Sequence, residues 1–539
     1  MRFTTAALSL GGASLISALP AASNDTSTTI TLDYTSTIPA AGNSTLGYYK
    51  YQNIRFAAAP TGDLRFAAPQ WPEQETEVNS GDLADASVAC SSAEDCLFMD
   101  VWVPANIPEG TKLPVLVWTY GGGFTGGSKA QNTPEGLFNL STEFIFVSYN
   151  YRLGITGLGN GPSYAHEGGT TNVALWDVEH AFKWVQKYIG EFGGDADAVT
   201  AMGFSAGGSQ TLFQMTRFAG HAEQLFKQAY VMSPGFVPGA GHEHAEAFWQ
   251  NVSTAVGCDG GHIACVRGVD FDTLTSAASD AADVYPYQFQ PRVDGDFVAD
   301  TYEAQFYQGR FNFTGPLVLS HELHEANSQA YSGVNTTADV STMLRTFFPS
   351  ITDAILERAL ELYPESDYTS PGLRFADMKQ HFDLTAHNLA ATHAMGNNTW
   401  NARVDLSPAT HGTDQSYYWY STYTLTSSSS STSSTNSSSS SNSTSGSGGP
   451  PSGSSGGGMG GGSTSVDSEV AIKMQKYLLS FVLKSDPNAL WAEDKLYWPK
   501  YNEANSTSGV QLIFNETMST GEDDLANSKA LFWNQALWW

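Results

Sequence analysis

The stretch DAVTAMGFSAGGSQTLFQMTR, Asp197 to Arg217, constrains the fold of this chain more than any other. An apolar run ends at Phe204, a tight turn covers Phe204–Ser205–Ala206, and a helical pattern follows at once. The same alternation recurs elsewhere. KLPVLVWTYGGG, FIFVSYNYR and GPLVLS read as strands, and so does the aromatic run QSYYWY. Between them, NVALWDVEHAFKWVQKYI places Leu175, Val178, Phe182, Val185 and Ile189 on one helical stripe. Strands alternating with helices predict an α/β fold with a central, mostly parallel sheet flanked by helices. With 539 residues, 41% of them hydrophobic, the chain can bury a core large enough for one big domain.

The pattern Gly-x-Ser-x-Gly occurs twice, at Gly203–Gly207 and at Gly453–Gly457, so its surroundings must arbitrate. The second copy lies in a Ser/Gly-rich tract at 426–466 that lacks the apolar content needed to fold. Its serine has no strand to aim it. Ser205 instead follows a strand and precedes a helix, the setting in which the pattern forms a nucleophile elbow. The alternative is an ordinary strand-to-helix loop that happens to contain a serine. Upstream, WTYGGGFTGG supplies Gly121, Gly122 and Gly123 directly after a strand. Their bare N–H groups, with that of Ala206 at the helix start, suit an oxyanion hole. A phosphate loop fits less well: no Gly-Lys-Ser/Thr follows, and the formal charge of −29 repels polyanions, nucleic acid included.

Export is expected from three features. MRFTTAALSLGGASLISALPAAS has one basic residue, a short apolar run and small residues, so residues 1–20 read as a signal peptide cleaved between about 18 and 23. The remaining unit then spans 21–539. No later stretch is apolar for long enough to anchor the chain in a membrane. Cys90, Cys96, Cys258 and Cys265 form two close pairs, which an oxidising compartment would bridge, although four cysteines allow three connectivities. Glycosylation sequons recur at Asn24, Asn43, Asn139, Asn251, Asn312, Asn335, Asn397, Asn436, Asn442, Asn505 and Asn515. The sequence is silent on oligomeric state.

Several long motifs occur in order: PTGDLRFAAP, EDCLFMDVWVP, YGGGF, YNYRLGITG, EFGGDADAVTAMGFSAGG, HGTDQSYYW, SDPNALWAEDKLYWPKYN and a terminal LFW. On these the chain resembles the type-B carboxylesterase/lipase family, the cholinesterase-like branch of the α/β-hydrolases, from about Tyr34 to Trp533 outside the Ser/Gly tract. The resemblance implies an ester-hydrolysing enzyme needing no metal or organic cofactor, acting on a small-molecule ester. It implies Ser205 as nucleophile, His411 of HGTD as base, and Glu325 of LVLSHELHEANS as the acid. Ser320 and Ala326 replace glycines usual around that acid, and Glu322 is its neighbouring competitor. Gly122, Gly123 and Ala206 take the oxyanion role. His393 reads as a structural helix residue, and a zinc reading of His321 and His324 fails because they stand three apart after a strand.

The resemblance also implies the bridges Cys90–Cys96 and Cys258–Cys265, and a structural ion pair between Glu94 and Arg152. In relatives the first bridge closes a long loop over the gorge. Here it would enclose only Ser91 to Asp95, and Phe204 stands where many relatives carry glutamate. Both departures point to esters of small to medium size rather than choline esters or long-chain fats. The family also contains adhesion proteins without the catalytic serine, and lipases on longer acyl chains; these are the alternative readings.

Overall fold

The computed structural model describes residues 28–108, 110–237, 241–284, 288–421, 466–504 and 508–535. The expected signal peptide and, save for Val466, the Ser/Gly tract lie outside the described residues.

An 11-stranded sheet organises the chain. In chain order its strands are β1 (Ala41–Asn43), β2 (Tyr48–Arg55), β3 (Phe98–Pro104), β4 (Leu113–Thr119), β5 (Ile145–Tyr149), β6 (Gly194–Phe204), β7 (Gln228–Met232), β8 (Leu317–Glu322), β9 (Trp400–Val404), β10 (Val510–Phe514) and β11 (Ser519–Glu522). Across the sheet the order is β11-β10-β9-β8-β7-β6-β4-β5-β3-β2-β1. From β5 through β4, β6, β7, β8 and β9 to β10, every neighbouring pair is parallel. Antiparallel strands finish both edges.

The central strands are continuous apolar runs because helices cover both faces, leaving no solvent side to alternate toward. β5, IFVSY, is buried at every position. The expected helix forms as α1 (Val173–Tyr188), with Leu175, Val178, Phe182 and Val185 all buried. After β6 comes α2 (Ala206–Thr216), which is buried along its whole length. Such a helix cannot be recognised by an amphipathic stripe, since none of its faces meets water.

The strand order steps from β6 to β4 and then back to β5, so connections leave the sheet in opposite directions there. A crevice opens at the carboxyl ends of strands at such a reversal. Beside the main core, helices between β8 and β9 build a second apolar cluster with Leu344, Phe347, Phe375, Phe382 and Trp533. A third surrounds Phe66, Tyr164 and Trp249. Cys90–Cys96 and Cys258–Cys265 are bridged, as the resemblance implied. No helix among the described residues is long and apolar enough to cross a membrane.

Two expectations are corrected. QSYYWY is not a strand: Gln415–Tyr418 wind one helical turn, with the amides of Tyr417 and Tyr418 donating to the Asp414 carbonyl. Its aromatic rings favour a sheet, but packing overrides that preference. Trp419 sits edge-on to Trp118, and the Tyr418 hydroxyl bonds that of Tyr230. Nor do Glu94 and Arg152 pair. Arg65 takes Glu94, and Arg152 forks onto Asp177 at 2.8 and 2.7 Å. Asp177 lies on α1 and also accepts the Arg152 amide at 3.0 Å, so a preorganised carboxylate stood closer than Glu94.

Candidate active site

Ser205 occupies the one residue between β6 and α2, with φ 56° and ψ −126°. That conformation costs of order 1–3 kcal/mol and persists only where neighbours over-determine it. Here they do. The Ser205 amide donates to Met232 at 3.0 Å, and its carbonyl accepts from Ser209 and Gly235, each at 3.0 Å. The flanking glycines are a steric requirement. A Cβ on Gly203 would lie 2.2 Å from the Gly207 carbonyl oxygen, and one on Gly207 would lie 2.1 Å from that of Thr119. The strand, turn and helix therefore close to backbone contact, and the serine is pushed out of the bend.

The side chains of Ser205, His411 and Glu325 meet in one chain of hydrogen bonds. Ser205 Oγ is 2.8 Å from His411 Nε2, and His411 Nδ1 is 2.6 Å from Glu325 Oε2. A carboxylate can only accept, so Nδ1 donates and Nε2 is left to accept the serine proton. Glu325 follows β8 and is fully buried, whereas the imidazole is 29% exposed. The second carboxylate oxygen, Oε1, accepts the Glu322 amide at 2.8 Å, which fixes the acid's orientation. The His411 amide donates to the Glu325 carbonyl at 3.3 Å, tying the two loops together. Burial of the imidazole disfavours its charged form, but the Glu325 carboxylate, together with Asp383 and Asp414, outweighs this and holds the His411 pKa above its ordinary value.

The triple-glycine turn passes directly over the serine. A Cβ on Gly121 would stand 2.8 Å from Ser205 Cβ. The amides of Thr125 and Gly126 close the turn on the Gly122 carbonyl, each at 3.0 Å. Among the described residues, no group accepts from the amides of Gly122, Gly123 or Ala206. Bare donors on a fixed loop and at a helix start can hold a developing negative oxygen without reorganising.

Other candidates fall elsewhere. His321 is buried against Asp524 at 3.1 Å, and exposed His324 bonds Asn327. His393 lies on the helix Ala386–Ala394. Ser233 is buried beside the elbow with φ 42°, its amide bonded to the Ser320 carbonyl.

Two features were missed in the sequence. The Phe204 ring stacks on the His411 imidazole, with centroids 4.8 Å apart and planes at 30°. Glu322, read only as a competitor for the acid role, accepts the Asp414 amide at 2.8 Å through its carboxyl. Only the H-G-x-D spacing hinted at Asp414, three residues beyond the base.

Comparison with known proteins shows the family and the fold. Residues 38–533 match the profile of the carboxylesterase family. Lipase 1 of Geotrichum candidum is 33% identical over 378 residues, covering 59% of this chain and 66% of the lipase. Carboxylesterase patB of Aspergillus clavatus is 30% identical over 337 residues, 50% of this chain and 60% of the esterase. A secreted lipase of Arthroderma benhamiae is 29% identical over 345 residues, with 61% and 67% covered. The chain thus spans about two thirds or less of the length of these curated relatives. Among solved structures, the crystal structure of Aspergillus niger EstA superposes with a TM-score of 0.76 at 22% identity, over 94% of this chain and 98% of that one. That likeness fixes the fold as α/β-hydrolase.

Proposed function

Because the chain belongs to the carboxylesterase family, we propose that it is a secreted serine carboxylic ester hydrolase that works through an acyl-enzyme on small to medium carboxylic esters. The observation that carries this reading is the continuous line from Ser205 Oγ through His411 to Glu325, at 2.8 and 2.6 Å, beside unoccupied amides.

In this mechanism His411 Nε2 takes the Ser205 proton as the serine oxygen attacks the ester carbonyl. The carbonyl oxygen gains negative charge and is held by the N–H groups of Gly122, Gly123 and Ala206; each such donor supports about 3 kcal/mol of the barrier reduction. The imidazolium, paired with Glu325, then protonates the departing alcohol, which leaves an acyl group on Ser205. Water repeats the sequence, giving its proton to His411 and releasing the acid.

The two bridged cysteine pairs favour an oxidising compartment and so support export. Two features support the substrate class: the loop closed by Cys90–Cys96 is short, and Phe204 rather than a carboxylate faces the base. A nitrophenyl ester series from acetate to stearate tests the reading. The highest kcat/KM is expected at the short to medium members, with a loss of at least about 10⁴-fold in Ser205→Ala. Undiminished hydrolysis by Ser205→Ala would remove the mechanism, and a marked preference for emulsified stearate would remove the substrate class.

A further inference from the structure

Glu322 and Asp414 form a second pair of acidic groups directly behind the triad, and neither exposes any surface to solvent. The Glu322 carboxyl meets Asp414 at its backbone amide, and the two carboxyl groups act on each other across this buried site. Two of the four oxygens have a donor. Glu322 Oε1 accepts the Asp414 amide at 2.8 Å, and Asp414 Oδ1 accepts Gln415 Nε2 at 2.9 Å. Glu322 Oε2 and Asp414 Oδ2 are buried without a donor from any described N–H or hydroxyl group. Two ionised carboxylates cannot satisfy each other, because each can only accept. A single proton placed between them makes one a donor and removes both vacancies.

Facing the pair are Glu325 on the same loop, His411, Tyr230 from β7, and Tyr417 and Tyr418 from the short helix that follows Asp414. The tyrosines are pushed upward by burial, so they stay neutral. His411 is the cationic neighbour that acts on Asp414. Burial and the facing Asp414 push Glu322 far above the usual carboxylate range, and burial raises Asp414 to about 6.

We propose that Glu322 and Asp414 share one proton, and that this acid–carboxylate pair is a positioning element for the His411–Glu325 hydrogen bond. Glu322 reaches both sides of the triad. Its amide holds Glu325 Oε1 at 2.8 Å, and its carboxyl holds the backbone of Asp414, three residues beyond His411. With the proton present, the two loops are drawn together. Without it, two negative charges face each other in a dry site and drive apart the segments that carry acid and base. The positioning role rests on the triad reading given above; the shared proton does not.

Glu322→Gln tests it, since the amide puts a non-dissociable N–H where the shared proton stood. Asp414→Asn does the same from the opposite side and serves if the first variant does not fold. In the infrared difference between wild type and either single variant at neutral pH, a protonated carboxyl carbonyl stretch is expected in the wild type alone. The acid limb of the kcat/KM profile is expected to coincide in wild type and Glu322→Gln, because the pair carries one negative charge in both. In the double variant Glu322→Gln/Asp414→Asn that charge is gone, and the acid limb moves to lower pH by roughly half a unit or more. The alkaline limb moves to higher pH in Glu322→Gln.

Absence of the carbonyl stretch from the wild type overturns the proposal. So does a Glu322→Gln acid limb displaced as far as that of the double variant, since the pair would then be doubly ionised. An alkaline limb unmoved by Glu322→Gln overturns the positioning role. Wild-type rates in Ser205→Ala would fail the triad reading, while the infrared result would still decide the proton.

Discussion

His411 works between two unequal neighbours, and its pH behaviour follows from them. Burial resists protonation, but Glu325 at 2.6 Å, with Asp383 and Asp414, outweighs it and raises the pKa. Only the neutral ring can accept the serine proton. Activity on a neutral ester should therefore fall about tenfold per unit once pH drops below a midpoint lying above the ordinary histidine value of about 6.5. A kcat/KM profile measured from pH 9 downward checks this, and a flat profile to about pH 5 contradicts it. At this scale the sequence was uneven. Ser205 and His411 were legible because each sits in a motif with fixed spacing, and Glu325 because its distance from the end of β8 matched. The Phe204 stack and the Glu322–Asp414 pair were not. Each joins residues on different loops, and no local pattern states which way a side chain turns across such a gap. Phe204 was read as a missing charge; its ring over the imidazole needed the structure.

Between β6 and α2 the geometry leaves no room for adjustment. Gly207 approaches the Thr119 carbonyl so closely that a methyl group there would overlap it at 2.1 Å. Gly207→Ala should cost about 3 kcal/mol or more by forcing the elbow away from β4. Urea unfolding of the folded fraction measures this, together with loss of hydrolysis. A variant of unchanged stability and activity would show that the contact is not tight. The central strands were readable because burial on both faces makes them continuous apolar runs, and α1 because its stripe repeats at helical spacing. QSYYWY misled because six residues are too few to show a period, and its rings fit a sheet or a helix end equally. The Glu94–Arg152 pairing failed for a related reason. Charge alone names possible partners, while proximity through α1 selected Asp177.

The whole molecule is a large acidic α/β-hydrolase with two short bridges; its size and charge were legible from composition, and the pairing of its cysteines from the family resemblance. Composition marks 426–466 as a Ser/Gly-rich tract, which in sequence stands between His411 and the helix Ser468–Lys484. What composition could not supply was the convergence of three distant segments, around positions 122, 205 and 411, on one point. That convergence comes from the strand reversal at β4, a property of sheet order rather than of any local run. It is tested most directly on the intact protein, by mass spectrometry after treatment with a fluorophosphonate. One phosphonyl group per chain is expected, mapped to the peptide containing Ser205 and absent from Ser205→Ala. An unmodified chain, or an adduct mapped to any other residue, would contradict the account.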